Sequence, residues 1–398
     1  MNKDIKTCIK ELRESPLFAL SKCSNELAHT NFWAWLIEEC IKDGKNVFVE
    51  VFIPGFYEKG YVFSKVTREE GHRDLTIYYE RDTGQRGCHI VENKIKSIPT
   101  KTQLEDYKNN VENTFFGGTL TGITKTLDKI PDGYNIGDWG FVDYETIASN
   151  IEKQLNQFGK DYVHREVIEQ YIQDIRNISG LITKEIENTG EKYKWKIEDI
   201  DKGNEEEIER IKMGDILLKQ LGCQFAKEVQ ARINKEGEDL RSTWGKPFVN
   251  NDFNNKKATI TVVYKESDGS EELKNKEEIG RFGIQIEGDQ FRLYGGPGSK
   301  GKNYKKHEDL FNELKRRNWL QAFDAKADTP TIRGNKTAMR GGRGKHGKLE
   351  YCRYTGSNYT HIYQYWDIEE NNREDLCNDI IEYLKEAKQI IDTGLSFR

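Results

Sequence analysis

Asp74, Glu92 and Lys94 have the types and spacing on which a reaction can be built. Two carboxylates and an ammonium suit the hydrolysis of a phosphodiester. That reaction calls for a divalent ion that neutralises the phosphate and lowers the pKa of the attacking water. Mg2+ prefers oxygen ligands and keeps several of its waters, so one or two carboxylates are enough to hold it. Glu92 and Lys94 are two residues apart, and in an extended chain such residues project to the same side of a sheet. The carboxylate would hold the ion while the ammonium orients the water or stabilises the developing charge. The carbonyl of Asn93 offers a further ligand.

These residues sit at the ends of two apolar runs. Asp74 opens DLTIYYE (74–80), Glu92 and Lys94 close CHIVENK (88–94), and RDTGQRG between them reads as a hairpin loop. Paired strands would bring the three side chains to one point. After Pro99 a helix starts at Thr100 or Thr102 and carries Gln103, Leu104 and Tyr107. NVFVEVFI (46–53), YVFSKV (61–66) and WGFV (139–142) read as further strands. A helix over 4–20, interrupted at Ser15-Pro16, precedes them, and residues 143–187 are helical in pattern. A second early helix begins at Ser24 or Asn25, both good N-caps, with Phe32, Trp35, Leu36 and Cys40 as its core face. Glu26 and His29 share another face, where the plain reading is a capping carboxylate and a surface histidine. Helix, strands, helix and strand in this order predict an α/β unit on a mixed sheet.

An E-x-K triplet alone is what chance supplies in a charged chain, but the whole hairpin is more specific. It resembles the PD-(D/E)xK nuclease superfamily, in particular its RecB-like branch. Gly71-His-Arg-Asp74 resembles the G-x-x-D element, His89-Ile-Val-Glu92-Asn-Lys94 the apolar strand ending in (D/E)xK, and Gln103-Leu-Glu-Asp-Tyr107 the Q-x-x-x-Y element. Glu26, followed by His29 and FWAWL, resembles the helical carboxylate that precedes the core in many members. Arg73 stands where a proline is expected, which the chemistry tolerates because only the Asp74 carboxylate is used. The resemblance spans about residues 24–110, extending to 180 through the trailing helices. It implies a restriction-endonuclease-like mixed sheet flanked by helices and a Mg2+-dependent nuclease, with Mn2+ able to substitute. The family's breadth leaves restriction, phage defence, repair and mobile-element functions open; the expectation taken from it is an endonuclease acting on DNA rather than RNA, in phage defence or restriction. Asp74 and Glu92 would be metal ligands with Glu26 as an accessory one, and Lys94 the catalytic lysine. Gln103 and Tyr107 would support the lysine and the substrate strand. The competing reading is a nuclease fold that binds nucleic acid or protein without turnover.

Residues 188–207 are polar with two turn signals, which predicts domains over 1–190 and 191–398. A long helix over 205–235 follows, its apolar stripe suiting its own domain or a partner helix, so a homo-oligomer is a further expectation. Strands over 258–265, 281–287, 290–294 and 359–366, a hairpin turn at Glu287-Gly-Asp289 and helices over 306–323 and 369–393 predict a C-terminal α+β domain. Between Thr331 and Lys348, six cations (Arg333, Lys336, Arg340, Arg343, Lys345, Lys348) and five glycines stand with no acidic residue. A solvated loop and a loop contacting nucleic-acid phosphates are both open there.

The 398 residues carry a net charge of −5, so any basic surface is local. The seven cysteines form no C-x-x-C pair, which argues against a disulfide framework and a zinc site. No histidine pair has the H-E-x-x-H spacing and no phosphate-binding glycine fingerprint occurs, so ATP is not expected. With no signal-like segment and no apolar window near the ~18 residues of a membrane span, the expectation is a cytoplasmic protein without membrane contact.

Overall fold

The computed structural model describes residues 3–21, 26–95, 101–109, 115–124, 139–196, 200, 203–254, 257–267, 278–297, 312–314, 316–317, 319, 332–335, 343–344, 347–348, 352–355, 360–368 and 372–395. They fall into two compact units. One comprises Met1–Asn188 with Ile197–Gln220, the other Thr189–Lys196 with Leu221–Arg398.

The first unit is a mixed sheet of five strands flanked by helices. Its elements are α1 (Ile5–Glu14), α2 (Pro16–Ser21), α3 (Glu26–Glu39), β1 (Val62–Arg68), β2 (Leu75–Glu80), β3 (Arg86–Lys94), α4 (Lys101–Asn109), β4 (Phe115–Gly122), β5 (Trp139–Asp143), α5 (Tyr144–Leu155) and α6 (Arg165–Thr189). The strands lie in chain order. The pairs β1–β2 and β2–β3 are antiparallel, whereas β3–β4 and β4–β5 are parallel. The turn between β2 and β3 closes with Gly84 at φ +73°, a conformation glycine adopts without a Cβ penalty. The register runs from Glu80↔Arg86 to Leu75↔Val91, so its next step sets Asp74 opposite Glu92. After β3 the chain reverses through α4 and returns as the parallel β4, so the end of β3 opens where a crossover leaves the sheet.

Three elements differ from the sequence reading. Residues 46–53 are not a strand. Val47–Val51 is a 3-10 turn with Val47, Phe48, Val49, Val51, Phe52 and Ile53 buried. A short apolar run reads alike as a buried strand or a buried turn, and packing against α3 and α5 decides it. Conversely β4 is a strand that its sequence, FFGGTLTG, conceals. Its glycines make room for neighbours: a Cβ on Gly117 would meet His89 Nδ1 at 2.7 Å, and one on Gly118 would meet the Trp139 ring at 2.5 Å. The helix expected over 205–235 is two, α7 (Glu205–Arg210) and α8 (Gly214–Glu236), parted where Lys212 takes φ +61°.

α3 buries more than one face. Trp33, Ala34, Leu36, Ile37 and Cys40 are inside, while Phe32 and Trp35 are half-buried. His29 is not at the surface either; it is buried against Trp33, Tyr144 and Tyr171. The Ser24/Asn25 cap lies outside the described residues.

The second unit is built on an antiparallel sheet: β6 (Phe248–Asn254), β7 (Lys257–Ser267), β8 (Glu278–Glu287), β9 (Gln290–Pro297), β10 (Ile332–Asn335), β11 (Arg343–Gly344), β12 (Gly347–Lys348), β13 (Cys352–Thr355) and β14 (Thr360–Ile368), followed by α9 (Arg373–Asp392). The order is β10-β14-β9-β8-β7-β6, with β13 on β14 and β11–β12 separate. One face is covered by α9 and the C-terminal part of α8, through Leu376, Ile380, Tyr383, Phe225 and Val229 against Phe282, Ile284 and Phe291. The short strands β6, β10 and β13 were not legible beforehand, and most of 306–323 lies outside the described residues. Of the six cations between 331 and 348, Arg333 is on β10, and Arg343 and Lys348 are on β11 and β12. Lys336, Arg340 and Lys345 lie outside the described residues. Among the described residues no helix is long and apolar enough to cross a membrane.

The close approach at Gly118 can be tested. Gly118→Val is expected to cost about 1–3 kcal/mol in urea unfolding. Gly140→Ala should be close to neutral, because its added Cβ comes no nearer than 4.0 Å to the Gly118 carbonyl oxygen. Equal effects would show that Trp139 does not set the limit.

Candidate active site

Glu92 and Lys94 project from the same side of β3, as the two-residue period requires, and Lys94 Nζ lies 2.7 Å from Glu92 Oε1. Both are buried, at 1% and 8% exposure. Asp74 stands across from Glu92 at the mouth of β2, and its Oδ2 accepts the Asn93 backbone N–H at 2.7 Å. Asp74, Glu92 and Lys94, separated in the sequence by a loop, are thus one cluster.

α4 holds this cluster from the side. Gln103 Nε2 donates to Glu92 Oε1 at 3.1 Å and to the Tyr107 hydroxyl at 2.7 Å. Tyr107 in turn donates to the His72 carbonyl at 2.6 Å, with Glu92 Oε1 3.4 Å away. Both residues therefore touch Glu92. Tyr107 also secures the turn that delivers Asp74, in which Glu69, Gly71 and His72 all have positive φ. Each non-glycine residue held so costs on the order of 1–3 kcal/mol, and it persists where the surroundings over-determine it. His72 itself is exposed.

Two further residues, Thr121 and Tyr144, unmarked in the sequence reading, fix the other flank through Asn93. The Asn93 side chain is fully buried; its Oδ1 accepts from Thr121 Oγ1 at 2.8 Å and from the Tyr144 hydroxyl at 3.0 Å, and its Nδ2 donates to the Glu26 carbonyl at 3.2 Å. Thr121 comes from β4, register partner of Asn93. Tyr144 opens α5 directly after Asp143, which ends β5 and caps α5 by accepting the Thr146 N–H. Glu26 does more than begin a helix, because its Oε1 accepts the Ile95 N–H at 2.8 Å, just beyond Lys94. His29 Nδ1 lies 2.9 Å from the Tyr171 hydroxyl, and burial lowers its pKa to about 4, so it packs as a neutral ring. Beside the site, Arg73 is half-buried. Only a strand-length pattern in 115–122 could have pointed to Thr121, and its glycines hide it.

The electrostatics follow from counting charges: Asp74, Glu92 and nearby Glu26 share one ammonium. Burial raises the Glu92 pKa to about 7, with Asp74 adding to the rise and Lys94 offsetting only part of it. Burial raises Asp74 too, Glu26 contributing. For Lys94, burial works against the charge, but Glu92, Asp74 and Glu26 overcome it and raise its pKa. An excess of buried negative charge that a cation would neutralise is one mark of a metal site. A second is Glu92 Oε2, which is buried without a hydrogen-bond partner. A divalent ion fits the donors Asp74 and Glu92. Among the described residues no cluster of three or more His, Cys, Asp or Glu side chains is shaped to hold a metal.

Comparison with known proteins agrees with this geometry. Residues 17–173 match the model of the PD-(D/E)XK nuclease superfamily, a span from α2 into α6 that contains every residue of the cluster. The N-terminal part of the chain belongs to that superfamily, whose members are metal-dependent nucleases. The match is to the superfamily and does not single out a branch. No curated protein and no solved structure matches the chain.

Glu92 binds its proton more tightly in the folded than in the unfolded chain. In metal-free buffer its contribution to stability should therefore fall as the pH rises from about 4.5 to about 7 and stay flat above. Urea unfolding of the wild type in EDTA at pH 5 and pH 8 should show this loss, on the order of 2 kcal/mol, and Glu92→Gln should lack it. The same pH dependence in both proteins would assign the effect elsewhere.

Proposed function

We propose that the first unit hydrolyses phosphodiester bonds of nucleic acid, DNA in preference to RNA and by internal cleavage, with Mg2+ bound to Asp74 and Glu92. The observation that carries this reading is the convergence of Asp74, Glu92 and Lys94 at the end of β3, with Glu92 Oε2 unpartnered. The ion, when bound, supplies charge neutralisation on the phosphate and an acidified water. Glu92 presents one oxygen to it, because the other is taken by Lys94 and Gln103. Asp74 is aimed by the Asn93 amide. The Asn93 carbonyl and Glu26 are candidates to complete the ligand set, directly or through water. Lys94 stands where its ammonium can stabilise negative charge developing on the phosphate or hold the attacking water. Burial of the whole cluster strengthens each of these interactions. The basic residues Arg333, Lys336, Arg340, Arg343, Lys345 and Lys348 of the second unit are proposed as nonspecific phosphate contacts.

Purified protein with Mg2+ or Mn2+ is expected to nick or cut plasmid DNA. Lys94→Ala should lower the rate by about 100-fold or more, with the fold kept. EDTA should abolish cleavage, and Mg2+ should raise the melting temperature at pH 8 but not at pH 5.5, where Glu92 holds its proton. Full activity in Lys94→Ala would remove the mechanism. Intact metal and DNA binding with no cleavage of any DNA or RNA tested would leave a silent binding domain instead.

A further inference from the structure

The β1–β2 half of the sheet carries a second set of polar groups on the same face as Glu92. Lys65 pairs with Tyr78 and Tyr78 with Cys88, and Cys88, Glu92 and Lys94 occupy alternate positions of β3 that share one side. Lys65 Nζ sits 4.8 Å above the Tyr78 ring. The Tyr78 hydroxyl donates to Glu70 Oε2 at 2.9 Å, and Thr67 donates to the same oxygen at 2.7 Å, so Tyr78 is fixed as a platform. Arg73 stands directly before Asp74, and its charge lies near enough to Glu70, Tyr78 and Cys88 to favour their ionised forms.

Two observations point to a ligand. Arg73 Nε is buried and has no hydrogen-bond partner, a state that costs about 1–3 kcal/mol unless something outside the fold satisfies it. Lys65 is exposed, while Arg73 and Tyr78 are only half-buried. α4 covers the other half of this face, where Leu104 and Tyr107 lie with Ile90 and against Phe116 and Trp139. The second unit shows what a self-contained buried arginine looks like. Arg292 is bonded to Gln285, Glu287 and Gln290, and lies 4.5 Å over the Tyr363 ring. Arg73 lacks such closure at Nε.

We propose that Arg73 and Lys65, positioned by Glu70 and Tyr78, bind the sugar-phosphate backbone of the substrate strand beside the cutting site. The proposal rests on the nuclease reading and extends it to a substrate-holding surface. A guanidinium and an ammonium match successive phosphates, the first as a planar fork and the second as a point charge. Distance separates this role from catalysis. Cys88 lies four residues from Glu92, about 13 Å along the strand, or roughly four steps at the 3.4 Å rise of a duplex. Lys65 thus meets phosphates that flank the cut, and such contacts supply register and affinity without reading bases. Glu70 borders the surface as an exposed carboxylate, and its Oε2 accepts from both Thr67 and Tyr78, which holds the Tyr78 ring in place.

The test uses the full chain with Lys94→Ala as an uncut background and measures binding of a labelled DNA oligonucleotide from 50 to 300 mM salt. Adding Arg73→Gln and Lys65→Gln should weaken binding about tenfold or more at low salt and flatten the salt slope by about 2. Lys160→Gln, an exposed lysine elsewhere, should change neither. Arg73→Lys with Lys65→Arg should restore much of the affinity, and a melting curve shows that the variants remain folded. Unchanged affinity and slope in the double variant, with a background that binds DNA, overturns this inference alone. A background that binds no DNA or RNA, together with a wild type that cuts none, overturns the nuclease reading beneath it.

Discussion

Two carboxylates facing each other across an antiparallel pair, Glu92 buried and Asp74 half-buried, with one ammonium paired to Glu92, set the terms for the first unit. Such an arrangement is unfavourable by itself. Burial disfavours each charge, and Asp74 and Glu92 repel one another where little solvent screens them. Lys94 relieves only part of this, which is why all three groups hold their protons more tightly than usual. The surrounding structure must keep the groups in place against their own repulsion.

It does so from two sides. On one, Gln103 and Tyr107 from α4 tie Glu92 to the carbonyl of His72, and so couple β3 to the turn before Asp74. On the other, Asn93 is a junction. Its backbone aims Asp74, and its side chain joins β4 through Thr121, α5 through Tyr144 and α3 through the Glu26 carbonyl. A buried amide with both ends satisfied specifies one arrangement of the elements around it, because losing any one partner leaves a polar group stranded. The helices that flank the sheet thus have their positions recorded in a single side chain between the two residues of the chemistry.

Buried charge is handled in two ways. In the second unit Arg292 finds three partners on its own and the neighbouring strand, so its charge is closed off within the sheet. In the first unit, Glu92 Oε2 and Arg73 Nε stay buried and unpaired next to the carboxylate cluster, where a bound cation and a bound anion would complete them.

Much of the framework was legible in the chain. Alternating runs over 74–80 and 88–94 with a glycine turn between them dictate a hairpin, and the register of a hairpin dictates that Asp74 faces Glu92. The two-residue period puts Lys94 with Glu92, and a helical i, i+4 spacing puts Gln103 with Tyr107. These are local rules, acting within a strand, a turn or a helix. What they could not settle depended on neighbours distant in sequence. The run 46–53 is apolar enough for a strand and becomes a buried turn because α3 and α5 enclose it. FFGGTLTG looks too glycine-rich for a strand and is one because His89 and Trp139 need the space a Cβ would fill. His29, polar and on an early helix, is buried because Tyr171, from a helix 142 residues later, gives its ring a partner. The sequence by itself determined which residues could do chemistry, since side-chain type and short-range period are properties of the chain alone. Only the tertiary structure decided what surrounds them, because burial, repulsion and the closing of a hydrogen bond depend on groups the chain brings together from afar.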